Sequence, residues 1–156
     1  EPWHYPAIAP MIKKWWKLRY TLIPYIVEQS RKAIASGAPL LQALIFHHPE
    51  DKLCWHIDDE YYFGNDFLVA PVMNSENRRD VYLPEGQWVN FFTGEVLEGG
   101  RWLKDLDVPL DEMPVYVRQG ATIPVYPDEV ECTDEMDLSK SVELHIDNHF
   151  KGIFKD

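Results

Sequence analysis

Metal-binding side-chain types are concentrated between residues 47 and 58. Imidazole, thiol and carboxylate groups occur there together, at His47, His48, Asp51, Cys54, His56 and Asp58. Transition metals accept all three kinds of ligand, so the set could form a metal centre. Its spacing matches no standard zinc pattern, however, and a polar loop between two strands is the simpler interpretation. We therefore predict no metal site in this stretch.

Two further polar sets could hold metal ions in principle. One set alternates along a predicted strand and would face one side of it: His145, Asp147 and His149. Such alternation is more typical of the solvated face of an edge strand. The other set could form a calcium loop: Asp105, Asp107 and Asp111. It lacks the glycine and the terminal glutamate of the EF-hand pattern, so we predict neither a metal ion nor another cofactor.

Three adjacent acids, Asp58, Asp59 and Glu60, could serve acid–base chemistry. A pair of carboxylates that hydrolyses a glycoside must flank the bond, about 5–9 Å apart. These acids fall in a predicted helical turn (58–63), where negative charge near a helix N-terminus is the simpler explanation. Nucleophile-elbow, phosphate-loop and dinucleotide motifs do not occur in the sequence. We predict that the chain carries no catalytic residue.

Composition excludes several classes of protein. Hydrophobic residues make up 46% of the chain, enough for a buried core, and the formal net charge is −11. A protein that grips phosphate backbones needs a basic face, so we expect no nucleic-acid partner. No apolar run is long enough to span a bilayer, so we expect no membrane partner. The two cysteines, Cys54 and Cys132, form no disulfide framework and favour a reducing, cytoplasmic location.

The N-terminal part of the chain predicts a loop followed by a helix. Residues 1–9 are rich in proline, which is typical of a loop. Apolar residues at helical spacing then predict one long helix over residues 10–36, kinked at Pro24 and ended by Gly37. Because an isolated helix is marginal in water, its apolar side must pack against other parts of a protein.

Short apolar segments separated by turn signals follow Gly37. The clearest are residues 40–46, 67–72, 88–92 and 115–117. Their spacing predicts an antiparallel β-sandwich, so the expected fold class is mainly β. Residues 127–138 predict an acidic linker, and 141–146 a strand that opens a further, truncated unit. The chain starts without methionine or a signal peptide, so we expect a fragment of a longer protein.

Several ordered motifs carry a resemblance to a known family. The chain contains EPW (1–3), LRY (18–20), LIPY (22–25), YFGNDFLVAPV (62–72), VYLPEGQW (81–88) and MPVYVRQGATIP (113–124). In this order and spacing they resemble glycoside hydrolase family 31, which contains α-glucosidases and α-xylosidases. The likeness covers residues 1 to about 126. One departure is Gln42, where the family often has arginine.

The resemblance implies an architecture and an activity. Residues 1–37 would form the last βα-loop and the eighth helix of a (β/α)8 catalytic barrel, 38–126 a proximal C-terminal β-sandwich, and 127–156 a linker and the start of a distal β-domain. The implied reaction is retaining hydrolysis of α-linked glycosides, with both catalytic aspartates upstream of Glu1. In this chain Trp3, in the last loop, could contact substrate, or it could anchor the loop against the sandwich, which is the interpretation we favour. The implied partners are the upstream barrel and an α-linked oligosaccharide.

Three functions stay open at the level of sequence. The chain could be the non-catalytic C-terminal part of a family 31 glycosidase. It could be a free-standing carbohydrate-binding β-sandwich, with an exposed aromatic row drawn from Trp88, Phe91, Phe92 and Trp102. It could also recruit a separate catalytic chain as an interaction module. The amphipathic helix favours the first function, and a helix left uncovered would make the fragment self-associate as a homo-oligomer.

Overall fold

Two helices open the structure. The computed structural model describes residues 4–153 and begins with α1 (Ala9–Thr21) and α2 (Ile23–Ser36). The prediction of one long helix is therefore wrong, because the chain breaks at Leu22. Pro24 explains the break: it lacks an N–H, its ring collides with the carbonyl four residues earlier, and it lies in the first turn of α2. Gly37 ends α2 with a φ of 76°, as predicted.

The helices bury few of their own residues. Leu18 is the only buried residue of α1, whereas α2 buries Pro24, Tyr25 and Gln29. The Tyr25 hydroxyl attaches α2 to the following strands, because it donates to the Phe63 carbonyl at 3.0 Å and accepts from the Asp66 N–H at 3.2 Å. In the described part of the chain, no helix has the length and apolar character needed to cross a bilayer.

The chain after Gly37 is mainly β, as predicted. The strands are β1 (Leu41–Ala43), β2 (Tyr61–Phe63), β3 (Phe67–Val69), β4 (Arg78–Leu83), β5 (Gln87–Asn90), β6 (Val96–Glu98), β7 (Arg101–Asp107), β8 (Val115–Arg118), β9 (Thr122–Val125) and β10 (Val142–His145). Short 3-10 turns, Leu44–Phe46 and Lys52–Trp55, lie between β1 and β2. The helical turn predicted for residues 58–63 is wrong, because β2 pairs with both β1 and β3.

The largest sheet is antiparallel, with the strand order β1-β2-β3-β8-β5-β6. Neighbouring residues of a strand point to opposite faces, so the register divides the side chains into two sets. Tyr62, Leu68 and Tyr116 are cross-strand partners on one face. Tyr61 and Val69 are partners on the other. Each face is covered by a different part of the chain.

Strands β4 and β7 cover one face of this sheet. They pair antiparallel, with a register shift between Arg79 and Val81. The buried residues on this side, which we call the ribbon core, are Leu44, Cys54, Ile57, Tyr62, Leu68, Ala70, Val81, Tyr82, Leu83, Trp88 and Tyr116. Trp88 has no exposed surface, and its indole N–H donates to the Pro84 carbonyl at 2.8 Å.

The helices and the β9–β10 pair cover the other face. The buried residues there, the helix core, are Leu18, Leu22, Tyr25, Phe67, Val69, Val89, Phe91, Val115, Val117, Ile123, Val125, Ile146 and Phe150. Strand β10 pairs antiparallel with β9, from Val142 opposite Val125 to His145 opposite Thr122. The segment after the acidic stretch thus returns to the same body. The domain division at residue 126 stays a prediction.

Candidate functional site

An open apolar groove lies between the helices and the six-stranded sheet. We call it the helix-side groove, and its volume is about 340 Å³. One wall comes from the helices: Trp15, Leu18, Arg19, Leu22 and Ile26. The other wall comes from the sheet and its loops: Leu41, Tyr61, Phe63, Phe67, Val69, Phe91, Met113 and Val115. A volume of this size can hold one or more large side chains or a small ligand.

Strand pairing positions the sheet wall of this groove. Strand β2 places Tyr61 and Phe63 on the helix side and Tyr62 on the ribbon side, because its side chains alternate. Leu41 lies opposite Phe63 on the edge strand β1. Its side chain is 56% exposed. The groove therefore reaches an exposed apolar side chain at the edge of the sheet.

Arg19 is the one cation that lines the groove, and no carboxylate lines it. The side chain is exposed. Among residues 4–153 it takes part in none of the ion pairs, whereas its neighbour Lys17 lies 2.8 Å from a Glu129 carboxylate oxygen. The groove thus combines apolar walls with one unpaired positive charge.

A second pocket of about 360 Å³ continues along α1 from the same groove. Trp15 and Met113 line both cavities. The second is otherwise formed by Met11 and by the loops on either side of the β4–β7 pair. Two large apolar side chains in these loops, Met73 and Leu110, are 80% and 77% exposed. The apolar surface therefore extends toward the N-terminal end of α1.

Two of the candidate ligands between residues 47 and 58, His48 and Asp51, make internal hydrogen bonds. His48 Nε2 lies 2.7 Å from the Tyr62 hydroxyl. The Tyr82 hydroxyl donates to the Asp51 carboxylate at 2.5 Å. Cys54 is buried, and burial together with Asp51 raises the pKa of its thiol to about 12. Across residues 4–153, no group of three or more His, Cys, Asp or Glu side chains is arranged to hold a metal ion.

Arg118 lies beside the two histidines and adds to the effect of burial in lowering their pKa values. Its guanidinium donates to the Tyr62 hydroxyl at 3.0 Å and lies 5.2 Å from the ring centres of both Tyr62 and Trp88. Burial, and then the charge of Arg118, lowers the pKa of His47 to about 4 and also lowers the pKa of His48. Both imidazoles are therefore neutral at pH 7, so the cation at Arg118 faces no competing positive charge.

The acids at residues 58–60 are not arranged as a catalytic pair. Glu60 has no exposed side-chain surface, and one of its carboxylate oxygens accepts the Tyr82 N–H at 2.8 Å. Burial raises the pKa of this carboxyl group from 4.5 to about 7. The exposed Asp59 carboxylate lies 3.2 Å from the Arg79 guanidinium, which also donates to the carbonyls of Pro71 and Asp80. These groups hold the loop before β2 against β4.

The other polar sets are also separated. His145 ends β10 and contacts Thr122 Oγ1 at 3.2 Å, whereas Asp147 lies beyond the strand and accepts the His149 N–H at 2.7 Å. The predicted alternation on one strand is therefore wrong, because the strand ends first. Asp105 pairs with Arg78 at 2.6 Å across the β4–β7 pair. The Asp105 carboxylate is therefore held in an ion pair.

The aromatic row proposed for a sugar-binding module does not form a surface. Trp88 and Phe91 are fully buried, on opposite sides of the sheet. Trp102 is 36% exposed and lies between Tyr82 and Lys104. The predicted substrate contact, Trp3, lies outside the described residues. Sequence reasoning missed the groove, because its lining comes from segments that are far apart in the sequence.

The geometry defines a mainly β domain with one incompletely covered face, and the comparisons identify its family. Residues 37–123 match the model of the glycosyl hydrolase family 31 C-terminal domain. Alpha-glucosidase 2 of Bacillus thermoamyloliquefaciens is 33% identical over 99% of this chain, and an alpha-xylosidase of Saccharolobus solfataricus is 36% identical over 86% of it. The chain belongs to glycosyl hydrolase family 31.

Solved structures agree with this assignment. A glucose complex of the GH31 dextranase of Flavobacterium johnsoniae superimposes with a TM-score of 0.78 at 35% identity. That match covers 81% of this chain and 16% of the dextranase. The chain likewise spans 20% and 19% of the two curated relatives. It therefore corresponds to a small part of the enzymes it resembles.

Proposed function

We propose that this chain is the non-catalytic C-terminal part of a longer retaining α-glycosidase, acting on α-linked glucosides or xylosides. Retaining hydrolysis requires two carboxyl groups about 5 Å apart at an accessible bond. Glu60 is buried and Asp59 is paired with Arg79, so neither is available to a sugar. The proposal places the catalytic carboxylates in a barrel upstream of Glu1.

The observation that carries this proposal is the incompletely covered apolar surface on the helix side of the sheet. Helix α1 buries Leu18 alone, and the open groove beside it is lined by apolar side chains of four neighbouring strands, β1, β2, β3 and β8. A protein rarely leaves such a contiguous apolar surface uncovered, because its burial is favourable. We propose that α1 and α2 are the last helical segment of the barrel, and that the catalytic part covers this side.

The pairing of β10 with β9 bears on where the proposed proximal domain ends. We propose that residues 38–126 form the proximal sandwich and that 127–141 crosses its surface. The return of Val142–His145 to β9, and the burial of Ile146 and Phe150 in the helix core, favour adding residues 142–150 to the proximal unit. We also propose a cytoplasmic location, since Cys54 and Cys132 are both free thiols.

Hydrolysis of p-nitrophenyl α-glucoside and α-xyloside tests this function. The purified chain should release no p-nitrophenol, and the longer polypeptide that includes the upstream part should turn over at least one substrate. Turnover by the chain alone would contradict the proposal. Calorimetric titration with isomaltotriose serves as a second arm, because binding by the chain alone would instead favour a free-standing carbohydrate-binding module.

A further inference from the structure

We infer that the helix-side groove binds an apolar side chain that is followed closely by a carboxylate, both supplied by the upstream part of the enzyme. The inference rests on the proposed function and assigns the surface and the chemistry of the contact. Its components are the groove, with a volume of about 340 Å³, and the exposed Arg19 at its rim.

The walls of the groove select an apolar occupant. Trp15 from α1, Tyr61 and Phe63 from β2 and Met113 before β8 line the groove mainly with aromatic rings and a thioether. Burial raises the pKa of Tyr61, so its hydroxyl stays neutral. Transfer of a polar group into such a site without a hydrogen bond is unfavourable. A large aliphatic or aromatic side chain fits this requirement.

Arg19 selects a carboxylate beside that apolar group. It is the only cation in the lining, no acid of the described residues pairs with it, and no acid lines the groove. A guanidinium matches a carboxylate in two parallel hydrogen bonds. The neighbouring cation Lys17 differs, since Glu129 of the same chain already satisfies it.

The position of the groove favours the upstream part as the source of this segment. The groove continues into the second pocket through Trp15 and Met113, toward the N-terminal end of α1. The chain spans about a fifth of the length of its relatives, so most of their apolar surface belongs to other segments. Attachment through α1 would hold those segments at high effective concentration.

Variants of the longer polypeptide test the inference. Leu41→Lys introduces a charge at the groove edge, Arg19→Glu reverses the rim charge, and Val96→Lys is the matched control on the opposite edge strand β6. All three sites are exposed, so the chain by itself should keep its fold in every variant. Thermal unfolding of each variant is measured in the chain alone and in the longer polypeptide. In the longer polypeptide we expect Leu41→Lys and Arg19→Glu to lower the unfolding temperature by about 2–4 °C, with no change for the control or for the chain alone.

The outcomes separate this inference from the proposed function. If the longer polypeptide hydrolyses neither p-nitrophenyl α-glucoside nor α-xyloside, the proposed function fails. If it is active and all variants unfold like the wild type, the groove assignment fails and the function stands. Self-association of the free chain that Leu41→Lys abolishes, with unfolding of the longer polypeptide unchanged, would assign the groove to a second copy and overturn the inference. A smaller effect of salt on the unfolding temperature of Arg19→Gln than on that of the wild type would support the carboxylate.

Discussion

The two faces of the six-stranded sheet are completed to different degrees. On the ribbon face, β4 and β7 close the core, and Leu68, Val81 and Trp88 have no exposed surface. On the helix face, α1 buries one residue and a groove of about 340 Å³ stays open beside it. The same sheet therefore carries one closed core and one core with an open groove beside it. We propose that the rest of a larger enzyme packs on the open side.

The polar groups of the two faces differ in the same way. The ribbon side contains a connected set in which Arg118 contacts Tyr62 and Trp88 while His48 lies 2.7 Å from the Tyr62 hydroxyl. On the helix side, Arg19 faces an apolar surface without a partner among residues 4–153. Buried polar groups that have hydrogen-bond partners stabilise one conformation. An unpaired charge at the rim of a groove is instead available for binding.

Truncation of the ribbon core should have the largest effect on stability. Trp88→Ala removes a fully buried ring and should lower the free energy of unfolding by about 3–5 kcal/mol. Leu18→Ala, on the helix side, should cost about 2 kcal/mol, because its surroundings are already open to the groove. Urea denaturation measures both. Equal losses would contradict the contrast between the faces.

Gly64 tests a tight junction between helix α2 and the sheet. Its φ is 65°, and an added Cβ would lie 2.4 Å from the Tyr25 hydroxyl oxygen. Gly64→Ala should therefore cost roughly 3–4 kcal/mol, combining left-handed backbone strain with overpacking. Gly37→Ala is the matched control, since its φ is 76° but no atom lies within 4 Å. It should cost roughly 1–2 kcal/mol. Thermal unfolding of both variants would show whether the contact with Tyr25 matters.

Glu60 should make the stability of the ribbon side depend on pH. Its pKa is raised by burial to about 7, so its contribution to stability is full below about pH 4.5 and is lost as the pH rises through about 7. Relative to Glu60→Gln, the wild type should lose up to about 3 kcal/mol across this window. Denaturant midpoints measured between pH 4.5 and 8 provide the check. A pH-independent difference would show that Glu60 stays ionised.

The ion pair between α1 and the acidic segment should have the smallest effect. Lys17 and Glu129 are 2.8 Å apart, but their side chains are 48% and 80% exposed. Water and salt screen such a pair, so Lys17→Ala and Glu129→Ala should each leave the unfolding midpoint nearly unchanged. A double-mutant cycle at low salt measures the coupling. A large coupling energy would mean that the acidic segment, rather than a partner, holds α1.

Sequence patterns predicted the elements better than their contacts. Motif order and turn spacing indicated the mainly β fold and the family, and Gly37 marked the end of α2 correctly. The break at Leu22 was misplaced at Pro24, because proline is compatible with the first turn of a new helix. Strand β2 was mistaken for a helical turn, since it is only three residues long and follows a cluster of acids.

The candidate site was less accessible to sequence reasoning. The residues that line the groove come from two helices and several strands that are far apart in the sequence, so no local motif predicts it. In the sequence Arg19 is distinguished only as part of LRY, because an unpaired charge becomes visible only once its neighbours are known. The polar residues from 47 to 58 drew attention as possible ligands, yet the structure commits His48 and Asp51 to Tyr62 and Tyr82.

Hydrogen–deuterium exchange of this chain, alone and within the longer polypeptide, tests the central claim most directly. If the upstream part covers the helix side, the amides of α1 and β1 should exchange roughly tenfold more slowly in the longer polypeptide than in this chain alone. The amides of β5 and β8, whose strands lie inside the sheet, should exchange alike in both. Equal protection of α1 and β1 in the two proteins would contradict the claim that this side awaits a partner.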